Sequence, residues 1–326
     1  MRIDVQSHHM PAAYVKALRA RSGYPRFEQR GEQLWALGTP DDSLPMGAAL
    51  LELPRKIEEM DACGVDLALL SINIPGPDLA PAPRETEELA RLANDGIAEA
   101  VAAHPKRLRG VASLGFGDIG ASCRELERCL GELNFAALQV FACVGGRRYL
   151  DDPAFEPVWS LLAERGAPLV LHPGPSPSSP FYAGHWLGPL VGFLFDECLA
   201  ALRLIMGGVM ERHPRLKVLL PHGGATLPVL IGRVDSLSQR YREERGLVLP
   251  NPPSHYFARI HTDTVTHSKE GLAYALRQMG AGRVMFATDS PWVPIRRHVE
   301  ITESLGLPAR EAEQVWSGTA KAFFGL

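Results

Sequence analysis

Short, strongly apolar runs alternate with longer stretches of helical period through most of this chain, a pattern that predicts strands separated by helices. The strand-like runs are Met1–His8, Val65–Ser71, Leu108–Leu114, Ala136–Phe141, Ala167–His172, Leu216–His222, Phe257–Asp263 and Arg283–Asp289. Helical patterns fill 55–62, 86–104, 118–132, 152–165, 193–212, 225–242 and 268–279. Gly64 is placed to cap the first of these helices. Several of the strands are apolar almost throughout, as strands buried on both faces of a parallel sheet are. Eight such strands with intervening helices either close into a barrel or open into a doubly wound sheet. No G-x-G-x-x-G follows the first strand and no G-x-x-x-x-G-K-[ST] occurs, so the phosphate-cradling signals of the open sheets are missing. The pattern therefore predicts an α/β fold, a single (β/α)8 barrel domain over 1–326. The Gly- and Pro-rich block 9–54 is expected to be an irregular loop insertion over the barrel mouth, with Pro173–Pro180 as a second loop there.

Composition narrows the partners. A chain of 326 residues accommodates one such barrel, and a formal charge of −3 offers no basic excess for nucleic acid or an anionic membrane. No apolar window of about 18 residues or more is present to span a bilayer, and no secretory leader pattern opens the chain. Five scattered cysteines without a CxxC fit reduced thiols and a cytoplasmic location. Cys143 follows a strand and has access to a cleft there, but a buried, inert thiol is the commoner state of such a residue.

Ligand-capable side chains recur at one kind of place. His8, His172, His222 and Asp289 each stand at the C-terminal end of a strand, and in a barrel those ends converge on one mouth. A lone histidine there is usually structural. Three imidazoles and a carboxylate converging suit a borderline-soft divalent ion. On the first strand Gln6 and His8 are two apart and share a face, whereas Ser7 and His9 point away. His9 is accordingly expected to pack against a helix or lie at the surface.

The opening IDVQSHHMP resembles the IDxHxH start of the amidohydrolase-2 family. LVLHPG around His172 continues the likeness, as do HWLGPLVG and LIMGGVMERHPRLKVLLPHGGATLPVLIGRVD within 185–235, HTDTVTHS (261–268) and RVMFATDSPW (283–292). Members include aminocarboxymuconate semialdehyde, resorcylate and carboxyvanillate decarboxylases. The likeness runs in order along nearly the whole chain; only 10–54 has no firm counterpart. It implies a distorted (β/α)8 barrel with metal ligands at His8, His172 and Asp289, and with His222 in acid–base work beside the ion. Gln6 departs from the family, standing where His or sometimes Glu is usual, and is expected to be a weak oxygen donor. That tilts preference from Zn2+ towards a harder ion such as Mn2+. Two-metal relatives carry a bridging lysine after the fourth strand; 137–146 has none, so one divalent ion is expected.

The resemblance implies non-oxidative decarboxylation of a small aromatic or unsaturated carboxylic acid, with Asp289 as proton donor and His222 supporting the substrate oxygen. A hydrolase or hydratase of lactonase type, using the same ion to activate water, is the alternative. A metal-poor binding protein is the third reading, resting on Gln6. For the substrate carboxylate, the stretch 38–53 has no Arg and two adjacent acids, Asp41 and Asp42. Arg55 and Lys56 fall inside a helix and read as solvated surface. Arg147 and Arg148, after the fourth strand, are the better placed cations, and Trp186 and Trp292 are placed to flank a planar ligand. A homodimer or larger assembly is expected by family analogy.

Overall fold

The computed structural model describes residues 1–40, 42–245 and 249–326; Asp41 lies outside them. Eight parallel strands form one sheet in the order β1 (Ile3–His8), β5 (Leu67–Ser71), β6 (Leu108–Ala112), β7 (Ala137–Phe141), β8 (Leu169–His172), β9 (Val218–Leu219), β10 (Ile260–Asp263) and β11 (Val284–Met285). The segment after β11 closes the sheet on β1: Val5 N donates to Phe286 O at 3.1 Å, Asp289 N to Gln6 O at 2.9 Å and His8 N to Ser290 O at 2.8 Å. The result is the barrel that the alternation predicts.

The barrel interior is filled by Ile3, Val5, Leu67, Leu69, Val111, Val170, Leu219 and Met285. Phe323 and Phe324, from the C-terminal helix Thr319–Phe324, pack on the same cluster. Outward-facing strand residues such as Leu70, Leu138 and Leu171 pack with helix residues such as Leu89, Leu126, Trp159 and Leu204 in a second, larger core. Both faces of the sheet are therefore dry, which is why its strands read as continuous apolar runs. The helix Leu53–Cys63 ends on Gly64 at φ 65°, the left-handed cap expected from sequence.

Residues 9–54 are not irregular. They hold a helix, Ala12–Arg19, and a three-stranded antiparallel sheet of β2 (Arg26–Arg30), β3 (Gln33–Thr39) and β4 (Asp42–Met46). Strands β2 and β3 pair from Arg26↔Leu37 to Arg30↔Gln33 across a two-residue turn, Gly31–Glu32, with Gly31 at φ 59°. Phe27, Leu34, Ala36 and Met46 enter the main core, and Leu44 reaches the barrel mouth, so the expected position over the mouth holds although the expected irregularity does not. After β8, residues 173–178 run as a loop at the mouth before a short helical turn, Ser179–Tyr182.

One local irregularity in β1 matters for the site. Asp4 pairs with Ala68 and Ser7 with Leu70, so β1 carries one more residue than its neighbour across this stretch. Such a bulge reverses the in–out alternation. Ile3 and Val5 face the barrel interior below it, yet Gln6 and His8 face the mouth above it.

Candidate metal centre and active-site pocket

His8 and His172 end β1 and β8, and Asp289 follows β11 by four residues, held at φ 54°. One ligand atom from each lies within 4.8 Å of the others. His8 Nε2 stands 3.2 Å from His172 Nε2 and 3.0 Å from Asp289 Oδ1. The far side of each ring is engaged: His172 Nδ1 lies 2.8 Å from Pro173 O, and His8 Nδ1 3.0 Å from Ser71 Oγ. A carbonyl accepts only, so His172 Nδ1 must carry the proton and Nε2 presents its lone pair to the centre. This is how outer partners usually orient imidazoles that bind metal. Burial, together with His8, pushes His172 down to about 3, which keeps it in the neutral, ligating form.

Gln6 points into the same centre. Its Nε2 donates to Asp289 Oδ1 at 3.2 Å, while Oε1 is buried without a partner. An orphaned buried acceptor is costly, and a cation here would relieve it. Two imidazole nitrogens, a carboxylate and an unsatisfied amide oxygen make a donor set that fits one divalent ion.

His222 lies beside this cluster rather than at a strand end. It follows β9 by three residues, in the turn Pro221–Gly224, at φ 54°. Non-glycine residues held there cost on the order of 1–3 kcal/mol each, strain that persists where the surroundings over-determine it. The surroundings here are Glu197, whose two carboxylate oxygens stand 3.0 and 2.9 Å from His222 Nδ1, and Asp289, whose Oδ2 is 3.9 Å from Nε2. Burial alone would lower the imidazole pKa, but Glu197 and Asp289 outweigh it and raise it well above the ordinary value. Burial would raise Asp289; hydrogen bonds with His222 and His8 instead hold it well below the usual carboxylate range. Glu197 was not singled out in the sequence. The signal was there: Asp196–Glu197 interrupts the apolar helix Phe193–Met206, and Glu197 is fully buried in it.

A cavity of about 560 Å3 opens over the cluster, lined by His172, His222, Asp289, His267, Asn73, Trp292, Leu44, Ile74, Leu190 and Phe193, among others. Its lining contains neither Arg nor Lys among the described residues. Asn73 is buried with its Nδ2 unpartnered, a free donor that sequence reading also missed. Trp292 is thus brought to the site. Trp186 is not: it is half-exposed, stacks on Trp35 at 6.5 Å, and lines an adjoining cavity of about 370 Å3. Arg147 lines a separate cavity of about 670 Å3, and Arg148 is paired there with Asp152 at 2.8 Å. Neither guanidinium is part of the lining around the cluster.

One further expectation is corrected. Lys56 is not solvated surface but fully buried beneath the site. His9 is buried beside helical residues, the first of the two places expected for it, and burial with the nearby Lys56 charge lowers it to about 4. Cys143 is buried too, its thiol pushed up to about 12, which makes it inert.

A parallel eight-stranded barrel with a His–His–Asp cluster at the C-terminal ends of its strands defines a metal-site barrel enzyme class. The amidohydrolase family model matches residues 3–326, and the chain belongs to that family. It is 32% identical over 274 residues to a 2-amino-3-carboxymuconate-6-semialdehyde decarboxylase of Dictyostelium discoideum, covering 83% of this chain and 76% of that one. Its fold superposes on 5-carboxyvanillate decarboxylase from Sphingomonas paucimobilis with a TM-score of 0.89 at 27% identity, covering 100% and 99% of the two chains. It is also similar to a dihydroxybenzoic acid decarboxylase from Polaromonas sp. JS666, solved with bound manganese and the inhibitor 2-nitroresorcinol (TM-score 0.84, 27% identity, 100% and 97% covered). These relatives are decarboxylases, carbon–carbon lyases rather than hydrolases.

Proposed function

We propose that this chain is a metal-dependent, non-oxidative decarboxylase of a small aromatic carboxylic acid bearing an oxygen next to the carboxylate. The observation that carries the reading is the His8–His172–Asp289 cluster with the Glu197–His222 pair beside it, at the floor of a largely apolar pocket. One divalent ion, Mn2+ or Zn2+, held by His8, His172 and Asp289 with Gln6 as a weak fourth donor, would supply Lewis-acidic charge for the carboxylate and its neighbouring oxygen. Gln6, a neutral oxygen donor, favours Mn2+. The absence of Lys from 137–146 supports a single ion.

The protein's own groups handle the proton. Between two carboxylates, His222 is the resting proton store, and Asp289 Oδ2, 3.9 Å away, is the acceptor through which that proton reaches the substrate. Asp289 delivers it to the ring carbon that bears the carboxylate. The C–C bond to the carboxylate then breaks, its electron pair restores the aromatic ring, and CO2 leaves. Glu197 keeps His222 turned towards the pocket. Trp292, Leu44 and Phe193 exclude water and pack a planar ring, and Asn73 Nδ2 offers a hydrogen bond to a ring oxygen. A described pocket lining without Arg or Lys fits an aromatic monoacid better than an open-chain dicarboxylate.

Hydrolysis is the second reading, since the same cluster can serve water activation. It needs His222 as a base, whereas Glu197 favours its protonated form. One domain over 1–326 and a cytoplasmic location belong to the proposal. The latter is supported by five free cysteines and by no described helix being long and apolar enough to cross a membrane. A homodimer or larger assembly is also part of it, supported by the exposed apolar run of Phe181, Trp186, Leu187, Leu190, Val191 and Phe195.

The test is CO2 release from a panel of ortho-hydroxybenzoates by Mn2+-loaded protein. At least one member should be decarboxylated, and Asp289→Asn should release none. Lactone hydrolysis without any CO2 release would move the protein to the second reading.

A further inference from the structure

Beneath the candidate metal centre lies a buried charged layer with no contact to the pocket. Lys56, from the helix Leu53–Cys63, is 1% exposed and spends all three ammonium protons on two serines: Ser7 Oγ at 2.8 Å, Ser290 Oγ at 3.0 Å and Ser290 O at 3.2 Å. Asp4, fully buried, accepts from Thr288 N at 3.0 Å, Thr288 Oγ1 at 2.5 Å and Gln6 N at 3.2 Å. Ser290 N donates in turn to Thr288 Oγ1 at 3.1 Å. Asp289 is the residue between Thr288 and Ser290, in the left-handed region at φ 54°.

We infer that Lys56 and Asp4 are positioning residues that fix the backbone on both sides of Asp289 and thereby set its carboxylate at the metal centre. The inference rests on the decarboxylase reading only for what Asp289 does once placed.

Two local breaks in regular pairing meet here. The bulge in β1 removes Gln6 N from the sheet ladder and the turn after β11 takes Thr288 N out of it, whereas Ser290 O still accepts from His8 N at 2.8 Å. Asp4 satisfies the two amides that the strands leave unpaired, and Lys56 ties Ser7 Oγ of β1 to Ser290 Oγ and O across the same seam, at the place where both segments present ligands. A role in stability alone is a poor account of Asp4 and Lys56. Burial pushes the Asp4 carboxyl up and the Lys56 ammonium down, the mark of a desolvation penalty, and well-packed apolar replacements of such groups are often neutral or stabilising. Their hydrogen bonds instead define one geometry for an unfavourable backbone turn. With that turn fixed, Asp289 Oδ1 faces His8 and Gln6 while Oδ2 faces His222.

The test compares wild type with Lys56→Met, Ser290→Ala and the double variant Lys56→Met/Asp4→Asn, with Arg55→Ala, one residue along and on the surface, as control. Three quantities are read: Mn2+ affinity without substrate by chelator competition, kcat and KM, and amide exchange at Asp289 in the metal-free protein. Lys56→Met is expected to weaken Mn2+ binding by roughly 10–100-fold, as loss of an outer partner does, and to lower kcat with KM little changed. Asp289 amide exchange should speed up even without metal. Ser290→Ala should move all three the same way by less, and Arg55→Ala none. A folded Lys56→Met with wild-type Mn2+ affinity, kcat and exchange, differing only in melting temperature, would overturn the inference. If Lys56→Met does not fold, the double variant decides, and failing that Ser290→Ala, where unchanged affinity and exchange overturn it equally. Wild type that binds no Mn2+ while Lys56→Met still loosens Asp289 would sink the decarboxylase reading and leave the clamp standing.

Discussion

His222 owes its raised pKa to Asp289 of the cluster and, first of all, to Glu197 behind it. Glu197 chelates its Nδ1 from a helix, points Nε2 at Asp289 and favours the imidazolium. Replacing Glu197 by Gln removes the charge but keeps the shape. The His222 pKa, followed by NMR in the metal-free protein, should then fall from well above to near or below the ordinary value of about 6.5. Because the stored proton is lost with it, kcat should drop by roughly 100-fold or more, the usual weight of a general acid. An unchanged His222 titration would remove Glu197 from the proposal. Why Glu197 and Lys56 escaped a sequence reading, when His8 and His172 did not, is a matter of period. An imidazole ending an apolar strand has one destination in a barrel, the mouth. A charge on a helix has many, and solvent is the commonest. Only the fold shows that Lys56 faces the strands, and for Glu197 the sequence offers no more than two acids interrupting an apolar helix.

Strands and turns supply the geometry that single residues cannot. Strand β1 gives two consecutive inward positions, Val5 below the bulge and Gln6 above it, so one strand lines both core and site. The alternation of its sequence showed which residues share a face, Ile3 with Val5 and Gln6 with His8, but not the bulge that reconciles the two. Strands β9 and β11 are shorter than their apolar runs, because the chain leaves the ladder for the left-handed turns that carry His222 and Asp289. Within 9–54, a hairpin with the two-residue turn Gly31–Glu32 went unread among its Gly and Pro neighbours. Its partner strand β4 brings Leu44 to the pocket, so the insertion lines the site as well as covering the mouth. Leu44→Asp is expected to raise KM for an aromatic acid roughly tenfold or more, the loss of about 1.4 kcal/mol of binding, with metal content unchanged. Steady-state kinetics with parallel metal analysis checks this; loss of metal instead would mean that β4 supports the cluster itself.

At the scale of the whole molecule, barrel closure is what makes a site at all. His8 and Asp289 come from the first and last strands of the barrel, 281 residues apart in the chain, and meet because the segment after β11 pairs with β1. His172 arrives from the fifth barrel strand. Strand count was legible in the sequence since several strands are nearly continuous apolar runs and helical patterns separate them all, and convergence of the ligands follows from closure. The anion-binding role expected of Arg147 did not follow. Position after a strand specifies the mouth but not the sector of it, and Arg147 falls in another cavity. The account therefore stands on one ion at one cluster. The most direct measurement is elemental analysis of the protein after loading with Mn2+ and removal of excess metal. Wild type should hold one equivalent per chain and His172→Ala well under one. Two equivalents in wild type, a wild type that cannot be loaded, or full occupancy in His172→Ala would contradict it.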